Sequence, residues 1–261
     1  MVAPNGAWRT KADHPQIPLS IADIVDCARH CYAAGADGIH AHVRDQNGRH
    51  VLDVGLYREL SRELALAVPG LVVQVTSEAA GIYQTAQQQA VIRELKPAYV
   101  SVAMREMLDD KTVAADRQQA QDFYQWALDE QVTIQHIIYS AADVAEWFAR
   151  VHAGLIPLQD KRAQLLFVLG RYRDNLQSQP EDLTPFVQAL RQHEDGFAIE
   201  WAVCAFGVQE TQCLVAAAQQ GGKVRVGFEN SLWHADGTVA RDNAERVVYL
   251  QRALAALNAP H

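Results

Sequence analysis

No apolar run in this 261-residue chain approaches the ~20 residues needed to cross a bilayer, so no membrane role is expected. Positive charge is also in deficit. Lys and Arg number 23 against 31 Asp and Glu, a formal net charge of −8. That balance argues against a nucleic-acid scaffold, although a local basic site for a small anion can exist on an acidic protein. The segment Met1-Val2-Ala3-Pro4-Asn5-Gly6 has neither a basic cluster nor an apolar stretch, so no secretory signal is expected there. Cysteine is scarce: Cys27, Cys31, Cys204 and Cys213 form no CxxC pair. Reduced thiols in a cytoplasmic protein are the plain expectation. No low-complexity stretch or composition break divides the chain, which is expected to form one catalytic domain over 1–261.

What is present is a hydrophobic content of 49%, enough to bury a full core, arranged as an alternation of strand and helix signals. Strands are expected at 2–5, 38–43, 71–76, 98–102, 132–139, 164–169, 197–204 and 223–228. Helices are expected at 21–34, 55–67, 84–95, 116–130, 141–152, 184–192, 208–220 and 241–256. Ser20 reads as an N-cap, Gly35 as the residue after a helix end, and Thr184-Pro185 as a helix opening. Eight strand–helix units in about 250 residues, with near-continuous apolar strands, predict a (β/α)8 TIM barrel. The competing open doubly wound sheet is disfavoured, because Pro4-Asn5-Gly6-Ala7 is no Gly-rich phosphate loop.

Residues two apart on a strand share a face, so His40, His42 and Arg44 are expected to project together. Two adjacent imidazoles suit a divalent metal such as zinc, which needs a third protein ligand and an open position. The best donor is Glu229, at the end of Arg225-Val226-Gly227-Phe228-Glu229. In a barrel, active residues sit at the carboxyl ends of strands, where all three fall. The plainer alternatives are a polar plug for the histidines and an exposed loop carboxylate for Glu229. Arg225 is expected to point into the mouth, either binding a substrate carboxylate or pairing with Glu200 or Glu229. Arg44 either meets substrate or closes a local pair with Asp45, and Gly227 leaves room for a ligand at the backbone. Gln74, Thr76 and Ser77 form a polar strand end. Gln135 and His136 compete for one inward face, and parity does not choose between them. Glu200 is expected inside, neutralising Arg225 or acting as a base. His14 and His234 read as solvated loop histidines, Trp8 as a pocket wall, and Trp126 and Trp147 as packing residues.

Several segments carry a family resemblance. They are Ala3-Pro4-Asn5-Gly6-Ala7, Ala34-Gly35-Ala36, His40-Ala41-His42-Val43-Arg44-Asp45, Asn47-Gly48, Gly221 through Glu229, Asp236-Gly237 and Asn243-Ala244-Glu245. In order and spacing, over essentially the whole chain, they resemble the β-keto acid cleavage enzymes, whose founding activity is 3-keto-5-aminohexanoate cleavage. H-x-H-V-R-D together with R-V-G-x-E is the specific part.

The resemblance implies a zinc-bearing TIM barrel, usually a homotetramer, that turns a β-keto acid and acetyl-CoA into acetoacetate and a new CoA thioester. Carried over by motif, His40, His42 and Glu229 would hold Zn2+. Arg225, Asn230 and Thr76 would fall in the catalytic set. Asn5, Trp8, Ser77, Ser101, Gln135 and His136 are the expected substrate contacts. Three departures stand out. Asn230 occupies the place of the family's aspartate base and cannot accept a proton near neutral pH. Trp8 replaces the glutamate that holds a substrate amine, which points to an uncharged or bulky substrate group. Gln135-His136-Ile137 replaces a Glu-x-Glu pattern. The rival expectations are a zinc-dependent aldolase or hydrolase working without CoA, and a small-acid binding protein that keeps the metal.

Overall fold

A computed structural model describes residues 1–108, 114–170 and 177–257. Seven strands form one parallel sheet in sequence order. They are β1 (Gly38–Ala41), β2 (Val72–Thr76), β3 (Tyr99–Ala103), β4 (Thr133–Ile138), β5 (Arg162–Leu169), β6 (Ala198–Ala205) and β7 (Lys223–Val224). The helices are α1 (Ile21–Ala33), α2 (Val54–Ala67), α3 (Thr85–Leu95), α4 (Met104–Met107), α5 (Ala114–Asp129), α6 (Ala141–His152), α7 (Thr184–His193), α8 (Glu210–Gln219) and α9 (Asn243–Leu257). The short α4 and a 3-10 turn at Pro180–Leu183 are additions to the expected pattern.

Local chemistry accounts for the helix boundaries. Ser20 Oγ accepts from Asp23 N at 3.0 Å, and the Asp23 carboxylate answers from Ser20 N, a reciprocal cap that starts α1. Asp53 and Ser140 cap α2 and α6 through Leu56 N and Asp143 N. Asp242 accepts from Glu245 N at 2.8 Å, so α9 begins at Asn243 rather than at the expected Arg241. Cys27 and Cys31 share a face of α1 with sulfurs 3.8 Å apart, and all four cysteines are free thiols.

The expectation of eight regular strands is met only in part. The segment expected as the first strand is reduced to one residue: Val2 bridges Ile39 on one side and Val226 on the other, both in parallel sense. Pro4 lacks an amide donor, and Gly6 at φ 63° turns the chain away. The strand expected over 223–228 is regular only at Lys223–Val224. Beyond Val226 the backbone folds into a turn in which Asn230 N and Ser231 N both donate to Gly227 O.

Register sorts the side chains into two layers. Ile39, Val75, Val100, Val102, Phe167 and Val203 face the helices and belong to the main core. Leu166, Val168, Ala202 and Cys204, with Ile137, fill the concave side. His40 pairs with Gln74, Thr76 with Ser101, and Ser101 with Gln135. The polar residues of the expected site therefore lie on that same concave side, because register partners in a parallel pair point the same way.

Candidate metal centre

The two histidines reach the carboxyl end of β1 by different supports. His40 sits on the strand, and its Nδ1–H donates to Gln74 Oε1 at 2.8 Å. Gln74 in turn donates through Nε2 to Gln135 Oε1 at 3.2 Å. With its proton on Nδ1, His40 presents a lone pair at Nε2. His42 lies just past the strand and is held through its backbone. Asn5 Oδ1 accepts from His42 N at 3.2 Å, and Asn5 Nδ2 donates to His42 O at 2.8 Å and Pro18 O at 3.0 Å. The expected substrate contact at Asn5 is thus replaced by a positioning one, since the amide is spent on backbone.

Glu229 arrives from the turn after β7. That turn is pinned from below, where Glu210 Oε1 accepts from Gly227 N at 3.2 Å and Asn243 Oδ1 accepts from Phe228 N at 2.8 Å. Glu210 itself forms a fully buried pair with Arg246. Gly227 leaves no space for a ligand, contrary to expectation. Its φ is +142°, and a Cβ there would strike the Ala3 carbonyl oxygen and lie 3.0 Å from Asn243 Oδ1.

The result is a tight convergence of acceptor atoms. His40 Nε2 and His42 Nε2 are 3.1 Å apart, and Glu229 Oε2 is 3.6 Å from each. All three residues are buried, and one ligand atom from each lies within 4.8 Å of the others. Among the described residues, Glu229 Oε2 has no hydrogen-bond partner. Burial pushes the His40 imidazole down to about 4, and burial with neighbouring positive charge pushes His42 well below its ordinary value. Both rings are therefore neutral at pH 7, the form that binds a metal. A cation among them would replace the contact between the two ring nitrogens by bonds to the ion. The donor set of two imidazoles and a carboxylate fits zinc and leaves a position open.

The other oxygen of the carboxylate is claimed by Arg225. Its Nη2 donates to Glu229 Oε1 at 2.9 Å, and it also meets Asn230 Oδ1 at 3.4 Å and Cys204 Sγ at 3.3 Å. Asn230 is fully buried, and its Nδ2 has no partner among the described residues. Ser101 Oγ is likewise buried and unpartnered. Thr76 Oγ1 accepts from Glu78 N at 3.0 Å, while Ser77 Oγ donates to Ser101 O at 3.0 Å. Trp8 is 53% exposed at the rim.

Four expectations are corrected. Register places Gln135 on the concave side, so His136 faces the helices, with its ring 5.6 Å from Tyr124 and 5.5 Å from Trp147. Sheet pairing, which parity alone does not specify, removes His136 from the substrate contacts. Glu200 has the expected parity but sits at the amino end of β6, where it is exposed and pairs with Lys223 at 2.6 Å. Arg44 donates to the carbonyls of Gly48, Gly6 and Arg9, which makes it a clamp on loops rather than a substrate contact. His14 and His234 are buried, not solvated: His14 packs edge-on against Phe228, and His234 stacks on Tyr249 and meets Arg246.

Two residues near the cluster went unnoticed in the sequence. Glu78 Oε2 is 3.8 Å from His42 Nε2. Burial, with repulsion from Glu229 and Glu106, pushes its carboxyl up to about 8. His50 donates through Nε2 to Glu78 O at 2.9 Å, and its ring lies 5.1 Å from that of His42. The available signal was position: Glu78 directly follows the polar end of β2.

The family model described as beta-keto acid cleavage enzyme matches residues 1–261. A 3-keto-5-aminohexanoate cleavage enzyme of Fusobacterium nucleatum is 24% identical over 253 residues, 95% of this chain and 89% of the relative. A 3-oxoadipate:acetyl-CoA acetyltransferase of Cupriavidus necator is 22% identical over 250 residues, 94% and 84% of the two chains. Among solved structures, the ternary complex of ObcA with C4-CoA adduct and oxalate superposes with a TM-score of 0.69 at 13% identity. That match takes in 94% of this chain, which spans only 65% of the ObcA chain. The type I 3-dehydroquinate dehydratase of Clostridium difficile matches with a TM-score of 0.63 at 9% identity, over 100% of this chain and 92% of its own. These likenesses concern the fold, whereas the family match spans the residues that build the cluster: this chain belongs to the β-keto acid cleavage enzyme family.

Proposed function

We propose that this chain is a zinc-dependent enzyme that converts a β-keto acid and acetyl-CoA into acetoacetate and a new CoA thioester. The observation that carries the reading is the meeting of His40 Nε2, His42 Nε2 and Glu229 Oε2 beside the Arg225 guanidinium. When bound there, Zn2+ supplies Lewis-acid stabilisation of a β-keto acid enolate. Glu229 supplies one formal negative charge and Arg225 holds its second oxygen, so the carboxylate stays oriented toward the imidazoles. Arg225 also supports negative charge that develops on a bound carboxylate or enolate. Asn230 and Ser101 offer buried donors without protein partners, suited to substrate oxygens.

In the overall reaction the C2 carbanion attacks the thioester carbonyl, forming a C–C bond and releasing the CoA thiolate. The thiolate then attacks the original keto carbon, the C–C bond on its carboxylate side breaks to give the new thioester, and the carbanion so released takes up a proton, replacing the one removed from C2, to become acetoacetate. The proton from C2 is not taken at position 230, because an amide has no basic site there, nor by His136, which lies behind the sheet. Trp8 at the rim, in place of an acidic residue, suits an uncharged or bulky substrate end. The reading also includes a closed (β/α)8 ring with Val2 standing for its first strand, a single catalytic unit, a homotetramer and a cytoplasmic setting.

A panel of β-keto acids is supplied with and without acetyl-CoA, and acetoacetate and the new acyl-CoA are quantified. Turnover is expected only with acetyl-CoA, and is expected to vanish on chelation and return with Zn2+. Cleavage without CoA would replace this reading by an aldolase or hydrolase, and tight binding without product by a small-acid binding protein.

A further inference from the structure

Glu78 brings a second carboxylate to the edge of the cluster. Arg225 is committed to Glu229, and Arg44 to loop carbonyls. Glu106 is occupied by Ala79 N and Gln88 Nε2. Glu78 Oε2 stands 3.8 Å from His42 Nε2, a ring nitrogen of the cluster.

The separations compare closely with those of ligand atoms around one metal ion. Zn–N and Zn–O bonds of about 2.0–2.2 Å in a tetrahedron set ligand atoms roughly 3.2–3.6 Å apart. The separations among His40, His42 and Glu229 are 3.1, 3.6 and 3.6 Å, and Glu78 Oε2 stands 3.8 Å from His42 Nε2. Glu78 differs from the other three in being looser. Its oxygens are outside the set that lies within 4.8 Å, and its side chain is 30% exposed. Its backbone is not loose, since Thr76 Oγ1 holds the amide and His50 holds the carbonyl. A fixed backbone with a partly exposed side chain lets the carboxylate approach and withdraw by rotation about its own χ angles.

We propose that Glu78 is a fourth, displaceable carboxylate ligand of the metal held by His40, His42 and Glu229, closing the open coordination position until substrate displaces it. This rests on the metal reading above and adds to it a resting state and an entry step.

The test uses the full chain as wild type, Glu78→Gln and Glu78→Asp, with folding checked by circular dichroism. Zn2+ affinity is measured by competition with a chromophoric chelator. The visible spectrum of the Co2+-loaded protein is recorded before and after acetoacetate, a β-keto acid probe. Loss of a ligand is expected to weaken Zn2+ binding by at least about 10-fold in Glu78→Gln, with an intermediate loss in Glu78→Asp. The substrate-free Co2+ bands of Glu78→Gln should differ from wild type, and acetoacetate should bring the two spectra together. Zn2+ affinity within twofold of wild type together with superimposable substrate-free Co2+ spectra overturns the proposal. So does a loss of turnover in Glu78→Gln with affinity and spectrum unchanged, which makes Glu78 a base instead. A wild-type protein that binds neither ion removes the metal reading itself, a result distinct from failure at Glu78 alone.

Discussion

Gly227 is where the metal site and the stability of the fold meet, and Gly227→Ala tests both. Its φ of +142° disfavours any L side chain, and the added methyl would strike the Ala3 carbonyl oxygen. The backbone strain is worth about 1–3 kcal/mol. The Ala3 peptide has little freedom to move aside: its N–H donates to Val226 O at 2.8 Å, and its carbonyl accepts from Glu229 N at 3.0 Å. Losing these two hydrogen bonds costs roughly 1 kcal/mol each, for a total of about 3–5 kcal/mol. At about 2–4 °C per kcal/mol for a chain of this size, Tm falls by roughly 6–20 °C. Because Glu229 N is one of the donors displaced, Zn2+ affinity falls as well. Gly237→Ala is the control. It also has positive φ, at +83°, but nothing lies within 4 Å of its Cβ, so it carries the strain without the clash. Thermal unfolding followed by circular dichroism, with a Zn2+ titration, reads both effects. If Gly227→Ala melts no lower than Gly237→Ala and binds Zn2+ normally, the close packing of the two turns is not what orients Glu229.

Other outcomes follow from particular residues. Burial holds His136 at about 3 against its ordinary 6.5, so between those values the unfolded chain binds the extra proton and stability rises with pH. Its contribution is complete above about 6.5 and is lost as pH falls toward 3, with a limiting slope of about 1.4 kcal/mol per pH unit. His136→Leu should flatten the acid limb of a Tm–pH series and leave the turnover of β-keto acid unchanged; an unaltered limb or an inactive variant contradicts its place behind the sheet. Asn230→Asp puts a carboxylate where Arg225 Nη2 now meets Oδ1 at 3.4 Å. Steady-state assays should show no gain in turnover, because position 230 acts as a donor; an increase would identify Asn230 as a lost base.

Much of the architecture could be read from local chemistry. The Ser20 cap, the run of apolar strands and the residue after α1 each depend on near neighbours, and the expected helices formed close to their expected limits. The pairing of His40 with His42 was legible for the same reason, since strand parity is a property of consecutive residues. Residues whose role depends on depth or register were not. Glu200 had the right parity at the wrong end of its strand, and His136 lost the inward face to Gln135 only when β4 paired with β3.

Periodicity and capping in the linear chain were sufficient for the order of elements and for one imidazole pair, because both arise within a few residues. The meeting of Glu229 with that pair, the entry of Glu78 and the refusal of Gly227 to admit a side chain belong to the folded molecule. Each involves segments far apart along the backbone, brought together by the curl of the sheet and the two bridges at Val2.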